Sequence, residues 1–162
     1  MDMDFPIPMR KPNRLQDFDY SQNGAYFVTI CTQYKRCVFG AVQDGPDEPV
    51  MRMNETGLTV ERVILTIPLH YPTVELSGYC VMPNHVHLLL SFGTSNQNPS
   101  LSSLINQFKG TVTKTLGTSV WQKGFHDRVV RDLAEFRQIG EYIEHNAAKW
   151  RSDKHFVEEE RK

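Results

Sequence analysis

Two histidines stand inside an apolar run, "GYCVMPNHVHLLLSF" at residues 78–92, and that placement restricts the fold more than any other stretch. Segments so rich in aliphatic residues read as buried strands. Pro83 and Asn84 form a turn pair, so the run predicts two strands joined as a hairpin or a bent pair, "TVELSGYCVMP" and "HVHLLLSF". Successive side chains of a strand face opposite ways. Val86, Leu88 and Leu90 therefore share a face that takes the helix-covered core, and His85, His87 and Leu89 share the other, more open face. The strand repeat puts the two histidine Cβ atoms about 6–7 Å apart, close enough for both rings to meet one ion. The pair alone also fits two histidines held by hydrogen bonds at a sheet face.

Around this run the chain alternates strand and helix patterns. "GAYFVTICTQYKRCVFG" predicts a first strand from Ala25 to Gln33, and "QDGPDEP" a polar loop. "NETGLTVERVILTIPLHYP" predicts a helix capped by Asn54 and stopped by Pro68 and Pro72. Ser100 or Ser102 caps a helix whose Leu101, Leu104, Ile105, Phe108 and Val112 form one apolar face, and Gly117 ends it. "WQKGFHDRVV" predicts a short strand or extended segment. Asp132 then caps a last helix through Trp150, with Leu133, Phe136, Ile139, Ile143, Ala147 and Trp150 toward the core. The order β-α-β-β-α-β-α predicts an α+β, ferredoxin-like (RRM-like) antiparallel sheet with helices on one face plus a C-terminal helix. At 162 residues one domain is expected, spanning 1–162, with a basic arm at 1–20 and a charged tail at 151–162.

The net charge of −1 conceals an uneven distribution. Residues 41–75 carry Asp44, Asp47, Glu48, Glu55, Glu61 and Glu75 against Arg52 and Arg62. Residues 101–131 carry Lys109, Lys114, Lys123, Arg128 and Arg131 against Asp127, and Arg10, Lys11 and Arg14 make the N-terminal arm basic. A polyanion fits such surfaces; lysines that only solvate a helix face fit them too. No stretch approaches the roughly 20 apolar residues of a membrane span, and the start lacks a basic and then apolar leader, so a cytoplasmic protein without membrane contact is expected. Cys31, Cys37 and Cys80 show no CxxC pairing and read as free thiols.

Two imidazoles leave a cation undersaturated. Tyr142 and Asn146 lie four apart, hence adjacent on a helix, at the edge of its buried stripe. A helix resting on the histidine face would present a phenol and an amide oxygen together. Tyrosines and asparagines at helix edges also commonly have no such task.

Taken together, "YFVTICT", "GYCVMPNHVHLLL", "LINQFKGTVTK", "WQKGFHDRVVRD" and "EYIEHNAAKW" resemble the IS200/IS605-like tyrosine transposases, most closely the branch associated with repetitive extragenic palindromes (REP). The resemblance covers residues 10–150. It implies that His85-Val86-His87 is the HUH motif, that Tyr142 is the catalytic tyrosine, and that Asn146 completes a divalent-metal site for Mg²⁺ or Mn²⁺. Two positions depart from the pattern: His145 stands where asparagine is common and offers a rival ligand, and Ala147 replaces a frequent proline, which would let the helix run on. The tail "RSDKHFVEEERK" lies outside the resemblance and receives no role.

The implied reaction is cleavage and rejoining of single-stranded DNA at hairpins through a 5′-phosphotyrosine link. Arg10, Lys11, Arg14, Lys109, Lys114, Lys123, Arg128 and Arg131 are then candidates for phosphate contacts, with Trp121 and Gln122 near the bases. Members of the family act as monomers or as homodimers that exchange the tyrosine helix. A domesticated, catalytically inactive module that only binds DNA hairpins is the alternative. A small-molecule metal enzyme would need a closed apolar pocket, against which an exposed basic sheet face argues.

Overall fold

The computed structural model describes residues 24–158, so Arg10, Lys11 and Arg14 lie outside the described residues. The elements are β1 (Gly24–Cys31), β2 (Gly40–Gln43), β3 (Val50–Met53), α1 (Glu55–Leu65), a short α2 (Ile67–His70), β4 (Val74–Met82), β5 (His85–Phe92), α3 (Leu101–Leu116), β6 (His126–Val130) and α4 (Leu133–Glu144). Four strands make one antiparallel sheet in the order β4-β5-β1-β6. This is the expected ferredoxin-like arrangement. β4 and β5 are a hairpin closed at Met82↔His85, with Pro83 and Asn84 as its loop.

Period-two alternation in β5 sorts the two faces. Val86, Leu88 and Leu90 are fully buried and pack with Val60 and Ile64 of α1 and Leu104, Ile105 and Phe108 of α3. Leu89 joins Phe27, Ile139 and Ile143 in a smaller cluster under α4 on the other side. The histidine face is thus covered, not open as the pattern suggested: His85 is 0% and His87 2% exposed.

Helix starts follow the expected caps. The side chains of Asn54, Ser100 and Asp132 accept from the backbone N–H of Gly57, Ser103 and Glu135 at 2.9, 3.1 and 2.8 Å. Gly117 ends α3 with φ of 79°, left-handed backbone that suits glycine.

Two elements differ from expectation. The polar loop expected at "QDGPDEP" is the turn of a small hairpin, β2 paired with β3, whose two strands were not expected. Short strands of four residues flanking a Pro- and Asp-rich turn leave too little alternation to read. α4 stops at Glu144 instead of Trp150, and a 3₁₀ helix, Ala147–Ser152, follows. His145 and Asn146 are both poor helix formers. The tighter turn still buries Trp150, 4% exposed, against Phe156.

Gly57 permits α1 to lie on the β2–β3 hairpin: a Cβ there would sit 2.2 Å from the Phe39 carbonyl oxygen. Gly110 in α3 has nothing within 4 Å of the equivalent position. Gly57→Ala should lower unfolding stability by about 1–3 kcal/mol through overpacking, whereas Gly110→Ala should raise it by up to about 1 kcal/mol through helix propensity. Urea denaturation of the two variants checks this; equal effects would contradict the packing described.

Candidate active site

His85 and His87 project from β5 beside each other, with ring centroids 4.7 Å apart. Each is held through Nδ1. The Asn84 side chain donates through Nδ2 to the carbonyl oxygens of Lys35 (3.2 Å) and His155 (2.7 Å), which fixes its orientation and turns Oδ1 toward His85 Nδ1 at 2.8 Å. An amide oxygen only accepts, so His85 carries its proton on Nδ1 and its Nε2 presents a lone pair. His87 Nδ1 lies 2.9 Å from the Thr29 hydroxyl, its register partner on β1. Both Nε2 atoms are buried and have no hydrogen-bond partner. A histidine pair oriented from behind in this way could hold a metal ion.

Burial pushes both imidazoles toward the neutral form that binds metal, His87 to about 3 and His85 well below its ordinary value, with the neighbouring histidines and Lys154 acting in the same direction. Phe27 stacks on His87 at 5.0 Å, and Trp150 lies 6.1 Å from His85.

Tyr142 reaches this pair from α4, its ring 5.5 Å from that of His87 and edge-on to Phe27. Its hydroxyl donates to Asp153 Oδ2 at 3.3 Å. Burial and then the Asp153 charge raise the phenol's pKa, while the Asn146 amide acts to lower it. Asn146 is 1% exposed. Its amide is near enough to influence the phenol, yet neither Oδ1 nor Nδ2 closes a hydrogen bond of good geometry. The two histidines and the tyrosine therefore meet on the face of the sheet that α4 covers, and Asn146 lies beside the tyrosine. His145 does not join them; half exposed, it lies 3.8 Å from Glu48 on the β2–β3 side.

The tail supplies two groups that sequence reasoning passed over. His85, His87 and Asp153 offer ligand atoms all within 4.8 Å of one another. Asp153 Oδ1 accepts from the His155 N–H at 2.7 Å, and the His155 ring lies 4.7 Å from that of His85. Nothing in a charged, aperiodic tail signals this. The donor set fits a divalent ion: two bare imidazole nitrogens, a carboxylate and a buried amide oxygen.

Comparison with known proteins decides the family. The model described as "Transposase IS200 like" matches residues 21–146. The chain belongs to the IS200-like transposase family. An uncharacterized protein of Haemophilus influenzae is 28% identical across 94% of this chain and 96% of its own length. A second protein from that organism, provisionally named a REP-associated tyrosine transposase, is 26% identical over 49% of this chain and 52% of its own. Among solved structures, that of a REP-associated tyrosine transposase bound to a REP hairpin aligns with a TM-score of 0.61 at 19% identity, covering 84% of this chain and 73% of that one. A transposase provisionally so described from Deinococcus radiodurans aligns with a TM-score of 0.51 at 19% identity, covering 82% and 97%. Both show the fold.

On this IS200-like scaffold the basic candidates separate into tied and free groups. Lys109 donates to the carbonyl oxygens of Gln122 and Gly124, both at 2.9 Å, and so pins the loop before β6. Arg128 is paired with Glu135 at 2.9 Å. Lys114, Gln122, Lys123 and Arg131 are exposed. Trp121 is 4% exposed and packs on Phe39 and Phe108, so its ring serves the core, not a solvent-facing surface. No helix among the described residues is long and apolar enough to cross a membrane.

The buried imidazoles also set an acid limit. Burial lowers His87 and His155 to about 3, and lowers His85 too, against 6.5 for the ordinary group. Below about pH 6.5 the unfolded chain binds protons that the folded chain refuses, so stability falls as pH drops toward 3. Asp153, whose carboxyl burial raises, opposes this weakly. Urea unfolding from about pH 7.5 to about pH 5 should show that fall, and His155→Gln should make it shallower. A flat wild-type profile would contradict the burial of the rings.

Proposed function

We propose that this transposase-family protein is a single-strand DNA endonuclease and transesterase that cuts and rejoins DNA at REP-like hairpins, with Tyr142 as nucleophile. The convergence of the bare Nε2 atoms of His85 and His87 with the Tyr142 phenol carries the reading. The likeness to a hairpin-bound REP-associated transposase supports the substrate class.

In this reading the Tyr142 oxygen bonds to phosphorus as the bond from phosphorus to the 3′ oxygen breaks. The phenol gives up its proton and the departing 3′ oxygen takes one. A 5′-phosphotyrosine and a free 3′-hydroxyl result, and since no water enters, the reverse attack restores the strand. His85, His87 and the Asn146 oxygen would hold Mg²⁺ or Mn²⁺, with nitrogen donors favouring manganese. When bound, such an ion polarises a non-bridging phosphate oxygen and offsets the charge that builds at phosphorus. Thr29 and Asn84 keep the imidazoles turned, and Phe27 and Trp150 limit water around them. Because Tyr142 meets the histidines of its own chain, the geometry supports action by a single chain. A protein acting on genomic DNA would meet its substrate in the cytoplasm.

A hairpin oligonucleotide with Mn²⁺ should give an SDS-resistant protein–DNA adduct. Tyr142→Phe keeps the ring and deletes the attacking oxygen, so the adduct should disappear; its persistence would assign the nucleophile elsewhere. His85→Ala and His87→Ala should abolish cleavage while hairpin binding survives. Binding without any wild-type adduct would instead favour a module that only holds the hairpin.

The exposed lysines provide a separate measurement. If Lys114 or Lys123 contacts a phosphate, replacement by alanine should reduce the slope of log affinity against log salt by about one. An unchanged slope in both variants would remove them from the DNA path.

A further inference from the structure

We infer that Asp153 is the charged third ligand of the cation site, and that the same carboxylate holds the Tyr142 hydroxyl beside that cation. This deepens the nuclease reading above and rests on it for its purpose.

Charge is the first argument. His85 and His87 are buried and would ligate as neutral rings, and the Asn146 amide is neutral, so those three alone would leave a divalent charge uncompensated in a poorly solvated space, where burying net charge is strongly unfavourable. Asp153 is the carboxylate grouped with the two histidines, its ligand atom within 4.8 Å of both of theirs. Geometry is the second. The carboxylate is held from two sides, accepting from the His155 N–H at 2.7 Å on Oδ1 and from Tyr142 at 3.3 Å on Oδ2. Each carboxylate oxygen has two acceptor directions, so both hydrogen bonds leave capacity for a cation.

Anchoring is the third. The segment that carries Asp153 is fastened at the His155 carbonyl by Asn84, the residue that also orients His85. One turn of β-hairpin therefore positions a histidine ligand and the carboxylate opposite it. Asn146, whose side chain closes no hydrogen bond of good geometry, lacks comparable positioning and contributes a weaker, neutral oxygen.

The test uses the full chain without DNA and Mn²⁺ as the probe, read by the free-ion EPR signal and by the melting temperature with and without Mn²⁺. Asp153→Asn should weaken Mn²⁺ affinity by at least about tenfold and remove the Mn²⁺-dependent rise in melting temperature. Asn146→Ala should weaken it far less. Asp153→Glu, which keeps the charge, should bind more tightly than Asp153→Asn and guards against a folding defect in the amide variant. Wild-type affinity in Asp153→Asn, with affinity lost in His87→Ala, would overturn the role of Asp153 and leave the histidine site standing. Wild-type affinity in both His85→Ala and His87→Ala would overturn the cation reading itself.

Discussion

The side-chain amide of Asn84 is the junction on which the site depends. It sits in the tight loop between β4 and β5, fully buried, and its three hydrogen bonds run to the Lys35 carbonyl, to the His155 carbonyl and to His85 Nδ1. The backbone around it is bound as well: the Asn84 carbonyl accepts from the Thr32 N–H at 2.9 Å and the Thr32 hydroxyl at 3.1 Å. Lys35 and Tyr34 carry positive φ near 54° and 55°, a conformation that non-glycine residues adopt only when their surroundings hold it. Asn84 is part of that hold. Loss of its amide would strand the buried His155 carbonyl, at about 1–3 kcal/mol, and would also release the imidazole tautomer that bares His85 Nε2.

The tautomer matters because the rest of the pocket is expensive to bury. Native interiors leave few polar atoms without partners. Here two imidazole nitrogens and both polar atoms of the Asn146 amide are buried without one, within a small space. No packing advantage explains such a cluster, since the larger core on the opposite face is fully apolar in its centre. The cost is intelligible if the lone pairs are aimed at something the reaction requires, and active sites are where folds tolerate it. Cys31 and Cys80 stand beside the histidines in the sheet register, and burial raises their thiols to about 11 and about 12, which disfavours the thiolate form.

How far the site was legible in the chain follows from what carries a period. The two-residue repeat of β5 separated His85 and His87 from Val86 and Leu88, and helical spacing brought Tyr142 to the edge of α4; both signals come from burial on a regular element. The same rule overestimated openness, because alternation distinguishes faces but does not say what lies over them. Asp153 and His155 were unreadable for a related reason. They follow a helix that ends at Glu144 and a short 3₁₀ helix, and they are placed by bonds to Asn84 and to each other, which no local pattern encodes. The β2–β3 hairpin was hidden by its own brevity. Trp121, placed near the bases by its basic neighbours, proved to be a core residue, since sequence proximity to charge says little about where a large ring finds apolar contact.

The surroundings of Tyr142 make its reactivity conditional. Burial disfavours the phenolate, the Asp153 charge disfavours it further, and an incoming phosphodiester would bring still more negative charge to the same space. The Asn146 amide acts in the opposite direction, without reversing the shift. A tyrosine at ordinary pKa would already be almost entirely protonated near neutral pH, so in the proposed reaction the attacking form would depend on positive charge entering next to the hydroxyl. The hydrogen bond to Asp153 then has two opposed effects. It opposes ionisation electrostatically, yet it also keeps the phenol oxygen beside the histidine nitrogens. The second effect prevails only if the carboxylate's charge is neutralised by a cation shared with His85 and His87, which ties nucleophile, carboxylate and imidazoles into one unit.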